Sequence, residues 1–356
     1  MTILIAAAGT GGHVFPGLAV AESLLARGVD VHWLHTEKGK ESVWLQDYPI
    51  SCHQVEIQGL RGKGIMGWLA MPMRLFRAVR QAIAVLRAVK PQAILVMGGY
   101  VSVPVGLAAK LLGIPLVVHE QNAIAGMSNK LLAPVATRVY MGLPLQAWPL
   151  GFEEAECVGN PLRRQLQRGV YLPNKTGALR VLILGGSQGA SFLNATLPAV
   201  CTGWQWKDQL EIWHQTGTTD YEQVHEAYHA AKVNARVDEF IYDMATAYAW
   251  ADVVIARAGA MTVSELTQVA KPALFIPYPF AVDNHQQANA QALVDMGAAW
   301  MVVQSKASMD VLRYQLSEWL QHPELLDEAG QILLSLPDNC AGEIIADALI
   351  ALGSTH

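Results

Sequence analysis

Short runs of aliphatic and β-branched residues alternate along the chain with longer stretches whose apolar positions recur at helical spacing. Strands buried on both faces read as continuous apolar runs, and parallel strands need helical crossovers between them. The alternation therefore predicts an α/β protein built on parallel sheets. In the first half the runs predict strands over Ile3–Ala7, Val31–Leu34, His53–Ile57, Ala93–Val96, Leu116–Val118 and Arg138–Met141. The pattern then restarts, with strands predicted over Arg180–Leu184, Glu211–His214, Ala235–Phe240, Val253–Ile255, Ala273–Ile276 and Ala299–Val303. Ile3-Leu-Ile-Ala-Ala-Ala-Gly-Thr-Gly-Gly and Val181-Leu-Ile-Leu-Gly-Gly-Ser-Gln-Gly-Ala are physically alike: a buried strand, a glycine-rich turn, then a helix. Two Rossmann-like units are expected, divided at Val158-Gly-Asn-Pro-Leu-Arg-Arg, where Pro161 blocks helix continuation. Ligands of open α/β sheets bind beyond the carboxyl ends of the strands, so the cleft between two such units is the expected site.

Composition narrows the class. With 356 residues, 52% hydrophobic and 15% charged, the chain is neither disordered nor fibrous. Cys52, Cys157, Cys201 and Cys340 form no C-x-x-C pair, which argues against a zinc knuckle or a disulfide framework and for a reducing compartment. The first apolar run reads as a strand rather than a secretory leader, and no apolar run reaches the ~18–20 residues that span a bilayer. The net charge of −5 is unevenly distributed. Residues 1–163 carry 14 Lys/Arg against 10 Asp/Glu, whereas 164–356 carry 11 against 20. Between Glu56 and Glu120 there is no acidic residue, but there are Arg61, Lys63, Arg74, Arg77, Arg80, Arg87, Lys90 and Lys110. Pro72 opens a predicted helix with Phe76, Val79, Ile83 and Leu86 at core spacing and Arg74, Arg77 and Arg80 off that stripe. Ile65, Trp68 and Leu69 just before it lack an obvious core. The segment suits an anionic membrane surface, or else a solvated basic face over ordinary core residues. Nothing in the pattern calls for nucleic acid.

Candidate chemistry gathers at the strand-to-helix turns. Gly9-Thr-Gly-Gly-His-Val-Phe-Pro-Gly lets backbone amides and a helix dipole face an anion, but it lacks the glycine of the dinucleotide fingerprint at Val14 and the P-loop Gly-Lys-Ser/Thr. His13 stands at its mouth, as a base or as a hydrogen bonder at a helix start. Ser187 adds a hydroxyl to the second glycine turn, and Met97-Gly-Gly-Tyr forms a third. In Ala260-Met-Thr-Val-Ser-Glu, Thr262 and Glu265 have the spacing of a capping box. Alternatively, the amides of Ala260 to Thr262 hold a diphosphate while Glu265 accepts from sugar hydroxyls. Gln286 and Gln287, near the start of a later helix, suit a polyhydroxylated ligand better than a metal.

Taken together, Gly9-Thr-Gly-Gly-His-Val-Phe-Pro-Gly-Leu-Ala-Val-Ala, Gly59-Leu-Arg-Gly-Lys-Gly, Met97-Gly-Gly-Tyr-Val-Ser, His119-Glu-Gln-Asn, Val158-Gly-Asn-Pro-Leu-Arg, Gly185-Gly-Ser-Gln-Gly-Ala and Ala260-Met-Thr-Val-Ser-Glu occur in order over nearly the whole chain. The set closely resembles the MurG family, bacterial transferases that convert lipid I to lipid II. The resemblance implies a GT-B fold, two Rossmann-like domains facing across a cleft: residues 1–163 plus a returning helix over about 341–356 as the acceptor and membrane-facing domain, and 164–340 as the donor domain. It implies transfer of N-acetylglucosamine from UDP-N-acetylglucosamine to undecaprenyl-linked lipid I, with inversion, at the cytoplasmic face of the inner membrane. Carried over by position, Ile241 offers backbone groups to the uracil, Glu265 holds the ribose and Ser187 the diphosphate. Arg163, Ala260, Met261, Thr262, Val263 and Ser264 complete the nucleotide side, and Gln286 reaches the sugar. Thr10, Gly11, Gly12 and Asn122 line the facing wall, with His13 as base and Arg257 near the leaving group. No Asp-x-Asp occurs, and neither a metal nor a cofactor is expected. The rivals are another GT-B enzyme, such as a 2-epimerase or glycolipid transferase, and a non-catalytic nucleotide-sugar sensor.

Overall fold

Apolar segments too continuous to face water on either side have to lie inside a sheet covered by helices, and both halves of the chain take this solution. The computed structural model describes residues 1–9, 11–36, 41–57, 71–166, 168–169, 177–186 and 189–354. It divides into two units, Met1–Arg163 with Asn339–His356, and Arg164–Asp338.

The first unit is built on a parallel sheet of β1 (Thr2–Ala6), β2 (Asp30–Thr36), β3 (Ser51–Val55), β4 (Ala93–Val96), β5 (Leu116–Glu120), β6 (Arg138–Met141) and β7 (Glu156–Cys157), in the order β3-β2-β1-β4-β5-β6-β7. Register is set by the central strand: Ile3 lies opposite Val31 on one side and Ala93 on the other. Ile3, Leu4 and Ile5 are wholly buried, as an apolar run covered on both faces must be. Helix Gly11–Leu25 covers one face and is itself capped by the C-terminal helix Ala341–Ser354; Val14, Leu18, Val20 and Leu24 share a core with Ile345, Ala346 and Leu349. Gly17 is required there, because a β-carbon would come within 2.8 Å of the Trp33 ring. That indole is buried without penalty, since its N–H donates to the Ala7 carbonyl at 3.0 Å.

The second unit has six parallel strands, β8 (Leu179–Leu184), β9 (Leu210–Gln215), β10 (Asn234–Asp238), β11 (Val253–Ala256), β12 (Ala273–Phe275) and β13 (Ala299–Met301), ordered β10-β9-β8-β11-β12-β13. In each sheet the first strand is central and the next ones run out first on one side and then on the other. That reversal between β1 and β4, and between β8 and β11, is the switch point at which Rossmann-like sheets open a crevice.

The predicted strands recur within a few residues, but β7 was not expected: its two residues are exposed and carry no apolar pattern. The predicted stripe on helix Met71–Val89 is corrected. Leu86 is buried and Ile83 packs against the core as expected, but Phe76 is 59% exposed, and the other buried positions are Ala78 and Ala82. Arg74, Arg77 and Arg80 are exposed. Ile65, Trp68, Leu69 and the Gly59 block lie outside the described residues. No described helix is long and apolar enough to cross a membrane.

Candidate active site

In the first unit three loops meet at the switch point. The loop after β1 turns at Gly9, whose φ is +103°, and its amide donates to Glu41 Oε1 at 2.6 Å. Glu41 is fully buried, and its other oxygen has no hydrogen-bond partner among the described residues. The chain then enters helix Gly11–Leu25, so the half-buried His13 is carried on its first turn. Its ring packs on the loop after β4. A β-carbon at Gly98 would stand 3.1 Å from His13 Cε1, and one at Gly99 would stand 2.7 Å from the Ala8 carbonyl. Both glycines also have positive φ, +92° and +79°, so no other residue gives this close approach without strain.

The loop after β5 supplies the polar partners. Glu120 Oε1 accepts from the Asn122 amide at 2.9 Å and from Asn122 Nδ2 at 3.2 Å; Oε2 accepts from the Gly126 amide and from Asn129 Nδ2, both at 2.8 Å. A carboxylate 1% exposed is tolerated because four N–H groups reach it. Next to it, His13 Nδ1 lies 3.0 Å from Gln121 Oε1, and Gln121 Nε2 lies 3.1 Å from His119 Nδ1. His119 is completely buried, and burial pushes its pKa down to about 4 against the opposing pull of the Gly159 carbonyl and Glu120.

In the second unit the turns after β8 and β11 lie side by side, joined by the Arg257 amide donating to the Leu184 carbonyl at 3.4 Å. Gly185 and Gly189 admit no side chain: their β-carbons would stand 2.5 Å from the Ala190 nitrogen and 2.0 Å from the Thr216 carbonyl. The following helix, Ser191–Cys201, is pinned by Asn194. Its Nδ2 donates to the Thr216 carbonyl at 2.9 Å and Asp220 at 2.8 Å, and its Oδ1 lies 3.1 Å from His214 Nε2. Burial pushes the pKa of His214 down to about 3, so it serves here as a neutral strut to Asn194 and Tyr228.

Helix Ala260–Gln268 begins after Gly259, which is its N-cap and offers no side chain. Its first intrahelical bond runs from the Val263 amide to the Gly259 carbonyl, which leaves the amides of Ala260, Met261 and Thr262 at the head of the helix without an intrahelical acceptor. The capping-box reading is therefore corrected: Thr262 lies inside the helix, and Glu265 Oε2 accepts instead from the Tyr248 hydroxyl at 2.8 Å. Val263 and Ser264 are buried. The half-buried Arg257 spans the turn, donating to the Ile276 carbonyl at 2.9 Å, the Pro277 carbonyl at 3.3 Å and Gln304 Oε1 at 2.8 Å. Burial lowers its pKa from the ordinary guanidinium value.

Of the other expected residues, Ile241 is 5% exposed beyond the end of β10, between Phe240 and Tyr242, whose rings meet at 4.8 Å. Gln286 turns back on its own loop, its Oε1 accepting from the Tyr278 amide at 2.9 Å. Arg163 closes the first unit with its guanidinium 5.1 Å above the Phe15 ring. Gly11 and Gly12 begin the helix that carries His13, and Thr10 and Ser187 lie outside the described residues. Sequence reasoning did not single out Glu41, Gln121, Tyr248 or Asn289, whose Nδ2 donates to the Ala258 carbonyl at 3.1 Å. Only Gln121 had a signal, its place in His119-Glu-Gln-Asn. No described group of three or more His, Cys, Asp and Glu is arranged to hold a metal ion.

Residues 3–141 match the glycosyltransferase family 28 N-terminal domain and residues 180–335 the glycosyltransferase family 28 C-terminal domain. The UDP-N-acetylglucosamine–N-acetylmuramyl-(pentapeptide) pyrophosphoryl-undecaprenol N-acetylglucosamine transferase of Acidithiobacillus ferrooxidans is 46% identical over 331 residues, 91% of this chain and 90% of that protein. The crystal structure of Acinetobacter baumannii MurG superposes with a TM-score of 0.81 at 37% identity, covering 98% of this chain and 99% of that one. UDP-GlcNAc 2-epimerase from Neisseria meningitidis, at 12% identity and a TM-score of 0.66 over 99% of this chain and all of that one, shares the fold alone.

Proposed function

The chain belongs to glycosyltransferase family 28, and from that membership we propose how its two units divide the work of a lipid I transferase. The enzyme moves N-acetylglucosamine from UDP-N-acetylglucosamine to the C4 hydroxyl of the muramyl sugar of undecaprenyl-pyrophosphoryl-MurNAc-pentapeptide, making lipid II for peptidoglycan. The observation that carries this reading is the 46% identity running through both family domains.

A sugar hydroxyl is a weak nucleophile and a diphosphate departs with added charge, so the reaction needs a base and a cradle for an anion. His13 is the base. It takes the hydroxyl proton as the oxygen bonds to the anomeric carbon, while the carbon–oxygen bond to the diphosphate breaks and its electron pair leaves with UDP. Attack opposite the leaving group inverts the α donor to a β product. The amides of Ala260, Met261 and Thr262, with those of Gly186 and Ala190, hold the diphosphate at the positive ends of two helices. Glu265, fixed by Tyr248, accepts from the ribose hydroxyls. Ile241 borders the uracil, Gln286 the sugar, and Asn122, fixed by Glu120, the acceptor. Arg257, held by the Ile276 and Pro277 carbonyls, stands beside this cradle, near the leaving group. The first unit rests on the anionic cytoplasmic face of the inner membrane through Met73, Phe76, Arg74, Arg77 and Arg80, all exposed on one helix.

One incubation with labelled donor and a lipid I analogue tests the reaction. Disaccharide-lipid product and free UDP are expected in equal amounts, undiminished by EDTA. Epimerised donor without transfer, or activity abolished by EDTA and restored by Mg²⁺, contradicts the reading.

A further inference from the structure

His13 belongs to a hydrogen-bonded chain anchored on two backbone carbonyls, and carbonyls fix the direction of a chain because they only accept. His119 Nε2 lies 3.0 Å from the Gly159 carbonyl, so His119 carries its proton on Nε2 and keeps a lone pair on Nδ1. That lone pair faces Gln121 Nε2 at 3.1 Å, and the same amide nitrogen is 3.2 Å from the His119 carbonyl. Both acceptors demand the NH₂ group, so the amide has one orientation. A flipped amide would set its oxygen against a carbonyl and a lone pair, in a place where Gln121 is 2% exposed and His119 not at all. Gln121 Oε1 is therefore the atom that meets His13 Nδ1 at 3.0 Å. An amide oxygen only accepts, so His13 donates from Nδ1 and its lone pair is left on Nε2.

We propose that Gln121 and His119 are positioning residues that hold His13 in the Nδ1–H tautomer, leaving Nε2 as its basic nitrogen. This rests on the reading of His13 as the base and names the atom that acts. Burial keeps His119 neutral down to about pH 4, so the relay persists at neutral pH. The charged and titratable groups of the surrounding elements do not replace it. Glu120 is occupied by Asn122, Gly126 and Asn129; Glu41 is bound to the Gly9 amide; Arg163 lies over Phe15; and Tyr100 on the glycine loop is half exposed. The far end of the relay is tied to both segments where the chain crosses between units. Asn160 Nδ2 donates to the Gln121 carbonyl at 3.1 Å, and Asn339 Nδ2 donates to the Asn160 carbonyl at 2.9 Å.

The test is two-bond ¹H–¹⁵N spectroscopy of the full-length protein labelled at histidine, near pH 8, with the His13 signals identified by their loss in His13→Ala. The Nδ1–H pattern is expected for His13 and the Nε2–H pattern for His119; Nε2–H on His13 overturns the proposal, and this measurement needs no altered relay to fold. In Gln121→Met, His13 should shift towards the Nε2–H form, with kcat lowered about 10- to 100-fold and donor KM unchanged. A Gln121→Met enzyme with wild-type kcat and His13 spectra also overturns it. His13→Ala separates the two readings: kcat lowered about 10²- to 10⁴-fold supports His13 as the base, whereas near-normal kcat removes that role while the spectra still decide the tautomer.

Discussion

Among the described residues two imidazoles have no access to water, one in each unit, and each sets a limit on acid tolerance. Both His119 and His214 are 0% exposed, with pKa values pushed by burial down to about 4 and about 3. An unfolded chain protonates histidine below its ordinary value of ~6.5, whereas these two stay neutral until far lower pH. Between ~6.5 and about 4 the unfolded state therefore binds the extra proton, and stability falls with falling pH by about 1.4 kcal/mol per pH unit for each histidine. Ordinary carboxylates titrate mostly below this window. Urea titrations at pH 7, 6 and 5 should show the loss in both units, since His119 belongs to the first and His214 to the second. Equal midpoints at pH 7 and 5 would contradict the neutral burial on which the His119–Gln121–His13 relay depends.

Helix Met71–Val89 shows what a sequence pattern conveys at the scale of one element. Its inward face is carried by Ala78, Ala82 and Leu86, and alanines add little to an apolar stripe, so the stripe read from larger residues is right at Leu86 but extends too far at its start and assigns Phe76 to the core. Displaced from the core, Phe76 at 59% exposure joins Met73 and the three arginines on a face that is basic and apolar at once. Each basic contact with an anionic surface is worth about 1 kcal/mol, so Arg74→Gln, Arg77→Gln and Arg80→Gln together should weaken binding to anionic vesicles by roughly 10²-fold. Flotation at low salt measures it, and the melting temperature should not move because all three side chains are exposed. Unaltered flotation would return this face to solvent. The strands were far more legible than this helix, because a parallel strand such as Ile3-Leu-Ile or Val253-Val-Ile is apolar at every position. The glycine turns were legible for a similar reason, since only glycine meets the close approaches at Gly99, Gly185 and Gly189. Glu41, Tyr248 and Asn289 were not, because each acts on a segment distant in sequence and no local spacing records such a partner.

At the scale of the whole molecule, the path of the chain makes the first unit depend on residues that come after the second unit in sequence. The first unit consists of Met1–Arg163 and Asn339–His356, while the second is continuous. Helix Ala341–Ser354 buries Ile345, Ala346 and Leu349 completely against helix Gly11–Leu25 and its sheet. Truncating a single such Ile or Leu to Ala typically costs about 2–5 kcal/mol, and a domain has only about 5–15 kcal/mol in all. Removing the helix takes away two of them, strips the cover from Val14, Leu18 and Leu24, and deletes Asn339, which braces the Asn160 end of the relay. A chain ending at Asp338 should therefore lose the first unit and keep the second. Hydrogen exchange should show β1 to β6 unprotected and β8 to β12 protected, and the truncated chain should still bind UDP while transferring no sugar. Protection retained in β1 to β6 would mean that the sheet and its remaining helices suffice. The same dependence orders synthesis: the continuous second unit has all its residues before the first can close, so a nascent chain can complete its second sheet before the His119–Gln121–His13 relay is braced at Asn339.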